Sequence, residues 1–186
     1  MQQAKIISDA ELRRVNAYLS SRRHALRNQT IFAVSFNAGL RAMEIAALKV
    51  GDVYASDGSV REIVKLTTTK GGHPRRVFVN RKLRVALERY YPSIAMKLPH
   101  APLFRSQKGW HFSANTMCQL FLETFAAVGI HGATSHSGRR TMITRLADQG
   151  ISVHVLAAIA GHKNIATTQR YLTVNDALIA RAVELL

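Results

Sequence analysis

The sequence predicts a mainly α fold with one small antiparallel β-sheet. Through most of the 186 residues apolar side chains recur at helical spacing, in runs opened by capping residues and closed by glycine or proline. Residues 60–80 alone read as β-structure, as two short β-prone runs separated by the turn residues Lys70-Gly71-Gly72. A chain of this length, 47% hydrophobic and 20% charged, has the composition of one globular domain that buries its own core.

Taken in order, Ser8 and Glu11 fit a capping box ahead of an amphipathic helix over 10–26, with Leu12, Val15 and Leu19 at helical spacing. Arg13, Arg14, Arg22, Arg23 and Arg27 decorate that helix, as a solvated face or as phosphate contacts. A second, apolar helix covers 28–37, and Gly39 suits its C-terminal cap. A short helix over 42–48 follows, with Arg41 at its start and Glu44 one turn on. Arg41 is flanked on both sides by apolar helix, which places it in a cleft and calls for an anionic partner. Glu44 can orient it by a charge-assisted hydrogen bond. The β-prone runs are 63–66 and 76–79. A helix over 81–91 ends at Pro92, and 99–109 is a loop. Ser113 or Asn115 caps a helix running to Val128, and Cys118 within it is a packing residue. Trp110 and His111 are expected to anchor the loop before it. The helix after His136 runs to Asp148, Ser152 caps one over 153–160, and Asn164 opens one long enough to carry Tyr171. A last amphipathic run covers 176–186.

Composition narrows the function classes. One cysteine excludes a disulfide framework and a cysteine-based zinc site, and the eleven acidic residues are too dispersed to suggest a magnesium site, so no metal or cofactor is expected. No apolar run has the length of a membrane span and none follows the first residues as in a signal peptide, so the expected location is the cytoplasm. The net charge of +15 calls for a polyanionic partner, DNA or RNA in the first instance. A ribosomal-type binder or a basic protein facing an acidic partner would share that charge.

The stretch 134–171 carries the chemistry. His136 and Arg139 stand three apart, which on a helix's first turn puts both on one face. Ala160-Gly161-His162-Lys163 follows, and Tyr171 lies nine residues beyond His162. With Gly39-Leu40-Arg41-Ala42-Met43-Glu44 upstream and Thr69-Lys70-Gly71 between, this order of motifs resembles the catalytic domain of the tyrosine recombinases, the phage-integrase family. The resemblance covers roughly 9–180.

It implies that fold, and a reaction that the residue types suit. A cleaved phosphodiester gathers negative charge, which Arg41 and Arg139 can meet two oxygens at a time. His162 can donate a further hydrogen bond, and His136 is the candidate general base on Tyr171. The resemblance makes Lys70 the candidate general acid, with Lys65 in the strand as the competing assignment. Tyr171 would attack double-stranded DNA to leave a 3′-phosphotyrosyl link and a free 5′-hydroxyl. A second strand would then exchange through a Holliday junction, with neither ATP nor metal. Arg75, Arg76, Arg140 and Lys163 extend the positive rim as candidate DNA contacts.

The resemblance further implies a monomer that becomes a homotetramer on DNA through the apolar segment 174–186, with DNA-bending proteins as accessory partners and no membrane. Family members also carry an N-terminal helical domain. Here the catalytic domain begins almost at Met1, so the expectation is a single domain, core 9–173, either excised or a minimal recombinase like those of fimbrial phase variation. Two other readings compete. A type IB topoisomerase-like enzyme would share the nicking step, and a non-catalytic regulator would use 153–161 in a helix-turn-helix but would not require the six catalytic candidates together.

Overall fold

A computed structural model describes residues 3–67, 74–107, 109–171, 180, 183 and 184. Lys70 and most of 174–186 lie outside the described residues. The elements are α1 (Asp9–Ser20), α2 (Ala25–Ala38), α3 (Ala42–Ala47), α4 (Val50–Val53), β1 (Ile63–Leu66), β2 (Arg75–Phe78), α5 (Arg81–Tyr90), α6 (Ala114–Ala127), α7 (Ser137–Asp148), α8 (Val153–Ala160) and α9 (Ile165–Gln169). The fold is mainly helical with one two-stranded antiparallel sheet, as the sequence predicts.

The capping box forms as expected: the Glu11 N–H donates to Ser8 Oγ at 3.2 Å and the Ser8 N–H to Glu11 Oε2 at 3.0 Å. The first helix stops at Ser20, however, and the second begins at Ala25, where one helix to residue 26 was expected. Ser20 and Ser21 both turn their hydroxyls back, to the Ala17 and Tyr18 carbonyls. Such local bonds compete with continued helix.

The apolar α2 forms the centre, packed against α1, α3, α5 and α7. Phe32 on it meets Phe121 and Phe125 of α6, with ring centres 4.6 and 5.6 Å apart. Helix α7 lies close on α2 because residue 138 is glycine: a Cβ there would fall 3.0 Å from the Ser35 backbone. The extended N-terminal segment straps α7 from outside. Ile7 is buried and its N–H donates to Thr141 Oγ1 at 2.9 Å, while Arg140 donates to the Ala4 carbonyl at 2.6 Å. A smaller apolar cluster, Met142, Ile143 and Ala160, joins α7 to α8.

In the sheet Val64 pairs with Val77, Lys65 with Arg76 and Leu66 with Arg75. Val64, Leu66 and Val77 are buried, so Arg75 shares their inward face while Lys65, Arg76 and Phe78 face outward. Ahead of α6, Phe112 anchors the loop, buried beneath the Arg27 guanidinium; Trp110, expected in that role, is exposed. Ser113 is the cap of α6.

Candidate active site

Two guanidiniums converge on one carboxylate. Arg41 follows Gly39, the left-handed C-cap of α2, and sits at the N-cap of α3. Its N–H donates to Glu44 Oε2 at 2.8 Å and its Nη1 to Glu44 Oε1 at 3.0 Å. Glu44 is fully buried and also accepts from Arg75 Nη2 at 2.8 Å. Burial alone would raise the Glu44 carboxyl, but the hydrogen bonds and charges of Arg75 and Arg41 outweigh it and hold the pKa below the usual value. The group stays ionised.

Arg139, buried on α7, spans from one side of the site to the other. Its Nη1 donates to the Gly39 carbonyl at 2.8 Å and its Nη2 to the Ala160 carbonyl. The end of α8 thus receives Arg139 at Ala160 and Arg75 at Ile159, at 3.0 Å, which suits the negative end of a helix dipole. Burial, then the charges of Arg41 and Arg75, push Arg139 down to about 10, so it remains a cation at neutral pH. With three cations against one carboxylate, the cluster carries a surplus of positive charge, which suits an anion.

Gly161 ends α8 at φ 63°, and a Cβ there would lie 2.6 Å from Arg75 Cδ. A side chain at 161 would meet both a strained backbone and the arginine. This is a physical reason for glycine directly before His162. The imidazole Nδ1 of His162 is 2.8 Å from Thr168 Oγ1, and burial, then Arg139, Arg41 and Arg75, push its pKa down to about 4. The ring is therefore neutral at pH 7. If it is to donate from Nε2, Nδ1 must accept, which makes the Thr168 hydroxyl the donor.

Tyr171 was expected within the helix opened by Asn164. That helix, α9, ends at Gln169, and Tyr171 lies in the turn beyond, its N–H bonded to the Thr168 carbonyl at 2.9 Å. Its ring stacks on His162, with centres 6.0 Å apart and planes 16° apart, and packs on the Met142 cluster. Fully buried Thr168 thus holds His162 by its hydroxyl and Tyr171 by its carbonyl.

The structure therefore gathers Arg41, Glu44, Arg139, His162 and Tyr171. His136 is the N-cap of α7, its backbone already in the helical region, and is exposed, whereas Arg139 on the first turn is buried. Among the candidate DNA contacts, Arg76 and Lys163 are exposed. Arg140 is partly buried and holds the N-terminal strap, and Arg75 is inside the site. Sequence reasoning placed Arg75 on the rim with Arg76 and overlooked Thr168. The alternation of β2 about Val77 separates the two arginines, and that signal was in the sequence. Among the described residues no group of three or more His, Cys, Asp or Glu side chains gathers to hold a metal ion.

The sequence of the phage integrase family matches residues 5–177. The chain belongs to that family. Proteins that resemble it include tyrosine recombinase XerA of Pyrococcus horikoshii, 27% identical over 86% of this chain and 54% of that protein. A tyrosine recombinase of Pseudothermotoga lettingae is 32% identical over 81% of this chain and 50% of its own length. The chain thus spans about half the length of these curated relatives. Solved structures share its fold. A crystal structure of XerA recombinase superposes with a TM-score of 0.77 at 24% identity, covering 99% of this chain and 66% of that one. The Tn1549 transposon integrase in complex with circular intermediate DNA gives 0.79 at 19% identity, covering 100% and 68%. No helix among the described residues is long and apolar enough to cross a membrane.

Proposed function

We propose that the chain cleaves and rejoins DNA as the catalytic domain of a site-specific recombinase, through a 3′-phosphotyrosyl intermediate. The observation that carries this reading is Tyr171 laid against His162 at the edge of a pocket holding Arg41, Arg75 and Arg139. Arg41 and Arg139 stabilise the charge that the phosphate oxygens gain as the Tyr171 oxygen attacks. Neutral His162 donates a hydrogen bond to one of those oxygens. His136 at the open end of α7 takes the phenolic proton, and Lys70 returns a proton to the leaving 5′ oxygen. The relatives named tyrosine recombinases, and the solved neighbour in complex with circular intermediate DNA, support double-stranded DNA as substrate.

Exchange between duplexes needs several protomers. A groove of about 870 Å³ opens between β2, α7 and α8, lined by apolar residues such as Phe78, Met142, Leu146, Val155 and Ile159 and rimmed by basic ones such as Arg76, Arg81 and Lys82. In the proposed assembly it receives the C-terminal segment of a neighbouring protomer, closing a tetramer on DNA.

The test is incubation with sheared genomic DNA of the source organism, boiling in detergent, and sequencing of the fragments that stay attached. Fragments sharing one sequence, attached by a 3′ end to Tyr171, are the expected result. An absence of attached DNA would refute the reading.

A further inference from the structure

Arg75 stands on β2, yet its guanidinium bridges two other parts of the site. Nη2 donates at 2.8 Å to Glu44 Oε2, the oxygen that also accepts the Arg41 N–H. Nη1 donates at 3.0 Å to the Ile159 carbonyl, in the last turn of α8 and three residues before His162. Its side chain is only 9% exposed, and its Nε is buried with no hydrogen-bond partner. Cδ fills the space above Gly161 that a Cβ would need.

These contacts join regions that the apolar core leaves separate. The α3 side, with Arg41, belongs to the main core, whereas Ala160 of α8 belongs to the small cluster on which Tyr171 packs. A guanidinium spans two acceptors in a fixed plane; an ammonium is a point donor on a flexible stem. A buried fork between Glu44 and Ile159 thus sets a distance as well as a charge. A buried donor left unpaired at Nε is unfavourable, so filling space does not account for an arginine here.

We propose that Arg75 is a positioning residue of the cleavage reaction: by bridging Glu44 to the last turn of α8, it fixes Arg41 relative to His162 so that both meet the same phosphate. It acts through those two residues and does not itself touch the reacting atoms. The proposal rests on the reading of the chain as a strand-cleaving enzyme.

Two variants of the full chain separate the fork from the charge. Arg75→Lys keeps the charge and loses the fork; Arg75→Gln loses the charge. The DNA probe is the duplex sequence that the wild-type chain traps from genomic fragments, prepared with an ordinary phosphate or with sulfur at the 5′ bridging position. Arg75→Lys is expected to bind this duplex as the wild type does and to cleave it about 100-fold more slowly, the scale of a displaced catalytic group. Sulfur is not expected to restore the rate, because the fault lies in holding the phosphate and not in protonating the leaving group. Wild-type cleavage by Arg75→Lys would overturn the proposal. Rescue by sulfur would overturn it too, and would make Arg75 a support for the turn that carries Lys70.

A second measurement needs no DNA. The His162 ring titrates near pH 4 in the wild type, through burial and the charges of Arg139, Arg41 and Arg75. Followed by NMR, its midpoint is expected to rise in Arg75→Gln, where a charge is gone, and to move in Arg75→Lys, where Arg41 and the ring are no longer held together. Loss of stability alone would not move it. An unchanged midpoint in both variants would overturn the proposal, and so would failure of both to fold. If the wild type traps no DNA, the strand-cleavage reading fails by itself, and the titration still decides whether the bridge sets the site.

Discussion

The imidazole of His162 lies nearly parallel to the phenol of Tyr171, with ring centres 6.0 Å apart. Both are held by Thr168, one through its hydroxyl and one through its backbone carbonyl. The proposed nucleophile and the proposed phosphate donor therefore share a single mount in the last turn of α9. Replacing Thr168 by valine keeps the shape and removes the bond to Nδ1. The Tyr171 backbone bond should survive, and the His162 ring should lose its fixed orientation. The expected outcome is covalent attachment to DNA slowed by about tenfold, the scale of one lost hydrogen bond in the transition state, with DNA binding retained. A time course of adduct formation checks it, and an unchanged rate would remove Thr168 from the mechanism.

Tyr171→Phe removes the oxygen of the proposed nucleophile and nothing else. The ring keeps its stacking and its place on the Met142 cluster. Duplex binding should persist while the detergent-resistant adduct vanishes. Persistence of the adduct would pass the nucleophile's role to another of the five tyrosines, of which Tyr54 and Tyr90 are buried with hydroxyls bonded to backbone carbonyls.

The depressed His162 pKa has a consequence for stability. Its folded value of about 4 lies below the ordinary 6.5, so between those values the unfolded chain binds a proton that the folded chain does not. The contribution of neutral His162 is fully present above pH 6.5 and is lost as pH falls toward about 4. His162→Gln should flatten the fall of the urea midpoint across that window. Equal slopes for the two proteins would show that the ring is not held neutral.

Much of this site was legible in the sequence, because residue order and capping chemistry are local. The partnership of Arg41 and Glu44 follows from spacing at a helix start, and Gly161-His162 from a helix end. What was misread depended on direction. Arg75 and Arg76 are neighbours in a basic run, but period-two alternation sends the first into the site and the second to solvent. Tyr171 falls outside α9, since that helix closes after five residues. Ser20 and Ser21 end α1 early through their own hydroxyls, a competition that apolar periodicity does not register.

Gly161→Ala tests the tight passage of Arg75 over the end of α8. The backbone at φ 63° disfavours a side chain, and the added Cβ would fall 2.6 Å from Arg75 Cδ. The left-handed strain alone is worth about 1–2 kcal/mol. Unfolding free energy should drop by at least that, measured by urea denaturation, and adduct formation should fall further than stability explains because Arg75 is displaced. A stable variant with wild-type cleavage would contradict this packing.

The last prediction concerns residues 174–186, of which 180, 183 and 184 are described. Asp176, Arg181 and Glu184 are their charged residues, and most of the others are apolar. Val183 is 60% exposed, which leaves an apolar side chain in water on the single chain. The groove between β2, α7 and α8 has a mainly apolar floor rimmed by basic residues such as Arg76, Arg81 and Lys82, and is of a size to take a short helical segment. It lies beside Met142 and Ile159, against the cluster that supports Tyr171. A segment docking there from a neighbouring protomer would press on the packing of the receiving chain's Tyr171. Its departure would pull on the Tyr171 of the chain that gave it, so each docking event could couple two active sites. Deleting 175–186 should leave a folded monomer that binds single duplexes and forms the covalent adduct, but it should abolish cooperative assembly on paired sites and recombination between them. Placing a charge in the groove, as in Val155→Glu, should reproduce the defect in a full-length chain, because the receiving surface is then spoiled while the segment is intact. Mixing the two defective chains gives the sharpest reading. The deleted chain still offers a groove and Val155→Glu still offers a segment, so the mixture should recover part of the paired-site assembly in a gel-shift titration. Failure of the mixture alongside normal folding of both chains would mean that the segment packs on its own domain.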